Sequence, residues 1–173
     1  MIREGFNSET KGKKVRCMAL EPIAKAIIDE DFQDKQVTDF IKRLNEIVLM
    51  IKPTGHTSYR LKDFLKSKLG KATALDHHIN RPNYDESDFG KALDNFFTAQ
   101  DKEIDAINEQ IEIENEGITD PELIQELKEK ISRNPNDWGD KHSEYEKEFV
   151  EDYGKNRRGS DMENRYKKMK EKL

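Results

Sequence analysis

Apolar residues recur at helical spacing along most of this chain, and this periodicity restricts its fold more than any other sequence feature. The clearest segment runs from Gln36 to Lys52 and ends before Pro53. Its apolar residues lie three or four positions apart: Val37, Phe40, Ile41, Leu44, Ile47, Val48 and Ile51. This spacing predicts an amphipathic helix, which we expect at the centre of the core. No segment shows the sustained apolar–polar alternation of a strand, so we predict an all-α protein.

Six further helices are predicted, over about 21–31, 58–69, 87–116, 121–131, 140–152 and 160–172. Gly70 would close the second of these, and residues 71–86 would be irregular. Asp120-Pro121 would open the helix that follows Gly117, which makes a long antiparallel hairpin. Ser160 and Glu163 stand at capping-box spacing at the start of the last helix. We therefore expect an irregular helical bundle with a long acidic helical hairpin and a basic C-terminal helix.

Charge is divided along the chain into three blocks. Charged residues make up 39% of the 173 residues and apolar residues only 34%, which gives much surface for little core. The net charge is +5 over residues 1–75, −15 over residues 76–152 and +5 over residues 153–173. We predict four segments: a flexible basic arm (1–17), an N-terminal helical core (18–75), the acidic hairpin region (76–152) and a basic C-terminal helix or tail (153–173). The basic ends could either fold onto the acidic middle or bind nucleic acid.

The composition also excludes several classes of protein. Cys17 is the only cysteine, which rules out an intramolecular disulfide and a multi-cysteine metal site. The longest apolar run, Ile47–Ile51, is far shorter than the roughly 20 residues that cross a bilayer. The first residues lack the apolar core of a secretory signal. We expect a cytoplasmic protein with no membrane association and no cofactor.

The leading functional hypothesis is a non-enzymatic interaction module or inhibitor. Its acidic helical surface would bind a basic or nucleic-acid-handling protein, with imitation of nucleic acid as one form of that binding. The candidate partner-binding residues share one acidic stretch: Glu109, Glu112, Glu114, Glu116, Asp120 and Glu122. In composition the chain resembles phage or mobile-element proteins that bind and inhibit a host protein. Near-heptad isoleucines, Ile104, Ile107, Ile111 and Ile118, also allow a homodimer.

An alternative hypothesis is a nucleic-acid-binding accessory or regulatory protein. The helix that ends before Pro53, the Pro53–Gly55 turn and the basic segment 58–69 together suggest a helix-turn-helix. The second helix would present four cations to a groove or to phosphates: Arg60, Lys62, Lys66 and Lys68.

A third hypothesis concerns the triplet Asp76-His77-His78, the weak candidate for a metal site. The stretch 75–82 resembles the Asp-His core of HNH-type nucleases, including the phage endonuclease VII group. That resemblance implies a metal-dependent nuclease centred on His77 and His78, with Asn95 in the place of the family's asparagine. The sequence departs from the family, because no histidine follows before His142 and the zinc-binding cysteine pairs of the endonuclease VII group are missing. A pair of loop histidines with local bonding is the simpler interpretation.

Overall fold

A computed structural model describes residues 29–173, and this part of the chain is helical without any strand, which confirms the all-α prediction. It contains six α-helices, separated by short 3-10 turns and irregular segments: α1 (Glu30–Glu46), α2 (Leu61–Phe64), α3 (Lys68–Asn80), α4 (Asp85–Asn115), α5 (His142–Asn156) and α6 (Met162–Lys172). The predicted arm 1–17 and most of the predicted helix 21–31 lie outside the described residues. Within 29–173, no helix combines the length and apolar character needed to cross a membrane.

The chain divides into two compact units, one up to Arg43 and one from Leu44 to Leu173. The core of the second unit is aromatic and lies among α2, α3, α5 and the first half of α4. Phe149 on α5 packs edge-on against Phe89 of α4 and Phe64 of α2, and Trp138 covers the same cluster. These rings are all at most 5% exposed. The predicted helix 140–152, with Tyr145, Phe149 and Trp138 as its anchors, is confirmed as α5, which begins at His142 and continues to Asn156.

The expectation that the helix over 36–52 forms the centre of the core is wrong. The helix ends at Glu46, and none of its residues is buried. Val37 is 56% exposed and Ile41 is 55% exposed, whereas Val48 and Leu49 reach the core from the 3-10 turn that follows. The apolar periodicity gave the helix correctly, but it did not determine whether that face is covered.

The predicted helix 58–69 is also wrong, because the chain breaks between α2 and α3. The buried carboxylate of Glu146 accepts hydrogen bonds from the backbone N–H groups of Lys66 and Ser67 and from the Ser67 hydroxyl. Ser67 then caps α3 by accepting from the Gly70 N–H at 2.9 Å. A Cβ on Gly70 would lie 2.5 Å from Glu146 Oε1, so this glycine permits a close approach at the start of a helix rather than ending one.

Residues 71–86, which we expected to be irregular, form most of α3, the turn Pro82–Tyr84 and the start of α4. The predicted helix from 87 to 116 is confirmed as α4 with a start two residues earlier. The second helix of the predicted hairpin, over 121–131, is wrong. After a turn that begins at Asp120, residues 124–131 form neither helix nor strand, and side chains of α4 bond the backbone at Gln125 and Lys128. We call residues 121–131 the strap.

The basic C-terminal helix is confirmed as α6. It packs on α5 where Gly154 lies against the ring of Tyr166, and a Cβ on Gly154 would be only 2.2 Å from that ring. Tyr166 is 1% exposed. The predicted Ser160 cap is wrong, because Asp161 occupies the N-cap position in the left-handed region with φ 60°.

Candidate functional site

Negative charge is concentrated at the end of α4 and the beginning of the strap. Residues 109–126, which we call the acidic tip, contain seven carboxylates and no lysine or arginine. All six predicted partner-binding carboxylates lie in this tip and are exposed. Among the ion pairs that the structure shows for residues 29–173, none involves a carboxylate of the tip. The tip therefore retains its negative charge.

Acidic residues nearer the core are neutralised by the basic C-terminal block. Asp76 pairs with Arg157 and Arg165, and Arg158 bonds Asp88. Hydrogen bonds from Lys155 and Lys170 lower the pKa of Glu151 to about 2. The basic C-terminal block thus folds onto the first and last parts of the acidic middle, and its ion pairs do not include a carboxylate of the tip.

A groove with exposed apolar side chains lies within this acidic tip and the adjoining strap. Ile113 of α4 forms one wall, and Ile124 and Leu127 of the strap form the other. These side chains are 59%, 47% and 51% exposed, respectively. The cavity volume is about 570 Å³. The other lining residues are polar or acidic: Glu109, Glu112, Asn115, Glu116 and Gln125.

Two asparagines of α4 hold the strap by its backbone. The side-chain amide of Asn115 donates to the Gln125 carbonyl at 2.8 Å and accepts from the Gln125 N–H at 2.9 Å. Asn108 makes the same pair of bonds with Lys128, at 2.9 and 2.7 Å. We call these four hydrogen bonds the asparagine clasp. Because the clasp binds backbone groups, a helical strap, which would use those groups internally, is excluded in this arrangement.

The spacing of the clasp matches the two elements that it joins. Seven residues of α-helix rise about 10.5 Å, and three residues of extended chain span about 10 Å. Asn108 and Asn115 therefore meet Gln125 and Lys128 in register. This register places the preceding residues, Ile124 and Leu127, on the groove.

The four cations of the predicted recognition helix do not lie on one helix. Arg60 precedes α2 and its guanidinium contacts Met50 Sδ, whereas Lys62 lies in the single turn of α2. Lys66 lies in the break, with its ammonium group bonded to the Lys62 carbonyl, and Lys68 begins α3. The predicted helix-turn-helix is therefore wrong, and nucleic-acid binding by these cations stays a prediction.

The triplet Asp76-His77-His78 lies on α3 rather than in a loop, and both histidines are buried. His77 Nδ1 is 2.9 Å from the Tyr153 hydroxyl, and His78 Nδ1 bonds the Asp85 carboxylate. The carboxylate of Asp76 forms ion pairs with Arg157 and Arg165. Asn95, the residue in the place of the nuclease asparagine, donates instead to Asp152 at 2.9 Å.

Burial is the largest influence on the pKa values of His77 and Asp85. It lowers the pKa of His77 to about 4, although Asp88 at 3.4 Å opposes the shift. Burial also raises the pKa of Asp85 above its ordinary value. His77 has no exposed surface, so its ring is out of reach of a nucleic-acid phosphate in this conformation. Over residues 29–173 no group of three or more His, Cys, Asp or Glu side chains has an arrangement that could hold a metal ion.

The sequence analysis missed the apolar walls of the groove and the asparagine clasp. A signal for the clasp existed, because Asp101, Asn108 and Asn115 recur every seven residues along α4, as do Ile104 and Ile111. Asp101 extends the row by pairing with Arg133, just beyond the strap.

No protein-family model matches this chain, and the searches of curated proteins and of solved structures give no significant match.

Proposed function

We propose that this protein is a non-enzymatic interaction module whose acidic tip binds a basic surface of a partner protein. One observation carries the proposal: Ile113, Ile124 and Leu127 are exposed together in a groove whose three carboxylates form no ion pair within residues 29–173. Exposed apolar side chains with a polar rim are typical of protein–protein contacts. The carboxylates would increase the association rate and select basic partners.

The apolar groove favours a protein contact over imitation of nucleic acid by charge alone. A mimic would depend on the carboxylates and would lose nearly all affinity at high salt. A contact centred on Ile113, Ile124 and Leu127 retains the part of its affinity that comes from apolar burial. A partner that uses the same basic surface for nucleic acid would be inhibited by competition.

Self-association through the tip is disfavoured, because two copies would bring seven carboxylates against seven. The predicted homodimer through the isoleucines is also disfavoured, since Asn108 and Asn115, which lie among them in the sequence, already bond the strap. The occupant that fits the site is a different, basic chain.

Isothermal titration calorimetry of the full chain tests the proposal with two cationic peptides of about 15 residues, one of Lys and Leu and one of Lys alone. We expect the Lys/Leu peptide to bind more tightly at low salt and to retain binding when the salt is raised to about 300 mM. The triple variant I113S/I124S/L127S should lose this advantage. The matched control L123S replaces a strap residue that is 65% exposed and does not line the groove, and it should behave as the wild type. Equal binding of both peptides to the wild type and to the triple variant would overturn the proposal, as would no binding of either.

A further inference from the structure

The carboxylates of the groove repeat with the pitch of an α-helix. Glu109 and Glu112 line it from α4 and Glu116 lines it from the C-cap position just after the helix, at separations of three and four residues. Residues at this spacing share one helix face, and the rise between them is about 4.5 and 6 Å. A second helix laid along α4 presents cations at the same intervals when it carries Lys or Arg at positions i, i+3 and i+7.

The apolar part of the groove has the length of about two helical turns. Ile124 and Leu127 lie three residues apart on an extended segment, which corresponds to about 10 Å. Two turns of helix rise about 10.8 Å. Apolar residues on the adjacent face of the bound helix, two of them seven residues apart and one between them, would therefore contact Leu127, Ile113 and Ile124.

An extended peptide fits this groove less well than a helix. Side chains on one face of a strand repeat every 6.6–6.8 Å, roughly, which departs from the 4.5 Å step between Glu109 and Glu112. Adding a strand to the strap also needs free backbone groups. The clasp already engages the backbone N–H and C=O of Gln125 and Lys128.

We infer that the partner element is an amphipathic α-helix with a basic flank, which lies along α4 between Glu109 and Glu116 and packs its apolar stripe on Ile113, Ile124 and Leu127. This inference rests on the proposed function and specifies its partner. The arrangement is helix-in-groove recognition, in which one apolar face supplies contact area and charged flanks fix the orientation. A second copy of α4 is a poor occupant, since it would place glutamates opposite glutamates.

Three peptides of identical length test the inference by calorimetry with the full-length protein. The first carries Lys at i, i+3 and i+7 with Leu on the adjacent face, the second has the same composition in scrambled order, and the third is the first with a central proline that prevents a helix. We expect the periodic peptide to bind at least about tenfold more tightly than either control, which is about 1.4 kcal/mol. Its helical circular dichroism should increase on binding.

Charge variants identify the surface that the peptide uses. E109Q/E112Q/E116Q should reduce the preference for the periodic peptide to less than about threefold. E103Q/E129Q/E171Q removes the same number of charges at exposed positions outside the groove and should preserve the preference. If all three peptides bind the wild type equally and I113S/I124S/L127S still weakens their binding, the helix inference fails while the proposed function stands. If no peptide binds, both fail.

Discussion

At the scale of single residues, His77 differs from an exposed histidine in both its burial and its pKa. Its ring is fully buried against Tyr153 and between Asp85 and Asp88, and burial lowers its pKa to about 4. In the unfolded chain the pKa of a histidine is near 6.5. Between about pH 6.5 and pH 4, His77 is therefore protonated in the unfolded chain but neutral in the folded chain. The contribution of a neutral His77 to stability is therefore complete above about pH 6.5 and is lost as the pH falls toward 4.

We predict that the stability advantage of the wild type over H77Q shrinks by about 3 kcal/mol between pH 7 and pH 4. Glutamine keeps a polar atom near the Tyr153 hydroxyl but does not titrate. Burial raises the pKa of Asp85, which makes the free energy of unfolding depend on pH with the opposite sign. Because Asp85 is present in both proteins, the difference between their free energies of unfolding isolates the effect of the histidine. Urea unfolding at several pH values measures it, and a difference that does not change with pH would contradict the account.

Gly154 allows the C-terminal helix to lie against α5. We predict that G154A destabilises the protein by about 1–3 kcal/mol, because the new methyl group would overlap the Tyr166 ring. Helix propensity alone predicts the opposite sign, a gain of up to about 1 kcal/mol for Gly→Ala inside a helix. Thermal or urea unfolding decides between the two, and an increase in stability would refute the close contact.

At the scale of elements, local periodicity predicted α4, α5 and α6 because their buried faces are apolar at helical spacing. It missed α3 because the buried face of that helix carries Thr73 and His77, and the partner of His77, Tyr153, lies 76 residues away along the chain. A local pattern contains no information on such a distant bond. The neighbouring break at 65–67 has the same origin, since Glu146 is 80 residues from Lys66.

The strap shows how a helical pattern can be overruled. Leu123, Ile124, Leu127 and Ile131 have helical spacing, yet the backbone is extended, because Asn108 and Asn115 bond its N–H and C=O groups. The carboxylates of the candidate site could be predicted from the sequence, since they depend only on residue type. Its apolar walls could not, because they depend on the register of the clasp.

We predict that N108A/N115A releases the strap without unfolding the rest of the chain. Hydrogen exchange at the Gln125 and Lys128 amides should accelerate by at least about tenfold, since both amides lose their acceptors. Because the four bonds are exposed, global stability should fall by only about 1–3 kcal/mol. Q110A removes an amide of α4 that bonds Glu114 rather than the strap, and it should leave both amides protected. Unchanged exchange in the double variant would refute the clasp.

At the scale of the whole molecule, the three charge blocks were visible in the sequence, but their pairing was not. Arg157 and Arg165 reach back across more than 80 residues to Asp76 and join the C-terminal block to α3. Neutralisation of this kind explains how a segment of net charge −15 is accommodated in a folded chain. Within the described residues no ion pair reaches the acidic tip, which is why we propose the tip as the part that binds a partner.

We predict that R157M destabilises the protein by about 1–3 kcal/mol, because it removes the fully buried one of the two arginines that bond Asp76 and leaves Arg165 as the remaining partner. K167M removes an exposed cation paired with Glu163 and should change stability by less than about 1 kcal/mol. Chemical denaturation of both variants measures the contrast. Equal small effects would show that the C-terminal block contributes little to the fold.

The central claim is that the acidic tip is the binding surface, and amide chemical-shift mapping by NMR tests it most directly. The ¹⁵N-labelled full chain is titrated with the periodic Lys/Leu helix. The account predicts the largest chemical-shift changes at residues 109–115 of α4, at residues 116–118 directly after it, and at residues 123–128 of the strap. The triple variant I113S/I124S/L127S should abolish these changes. Shifts centred on the exposed face of α1, shifts spread evenly over all acidic residues, or no shifts would contradict it.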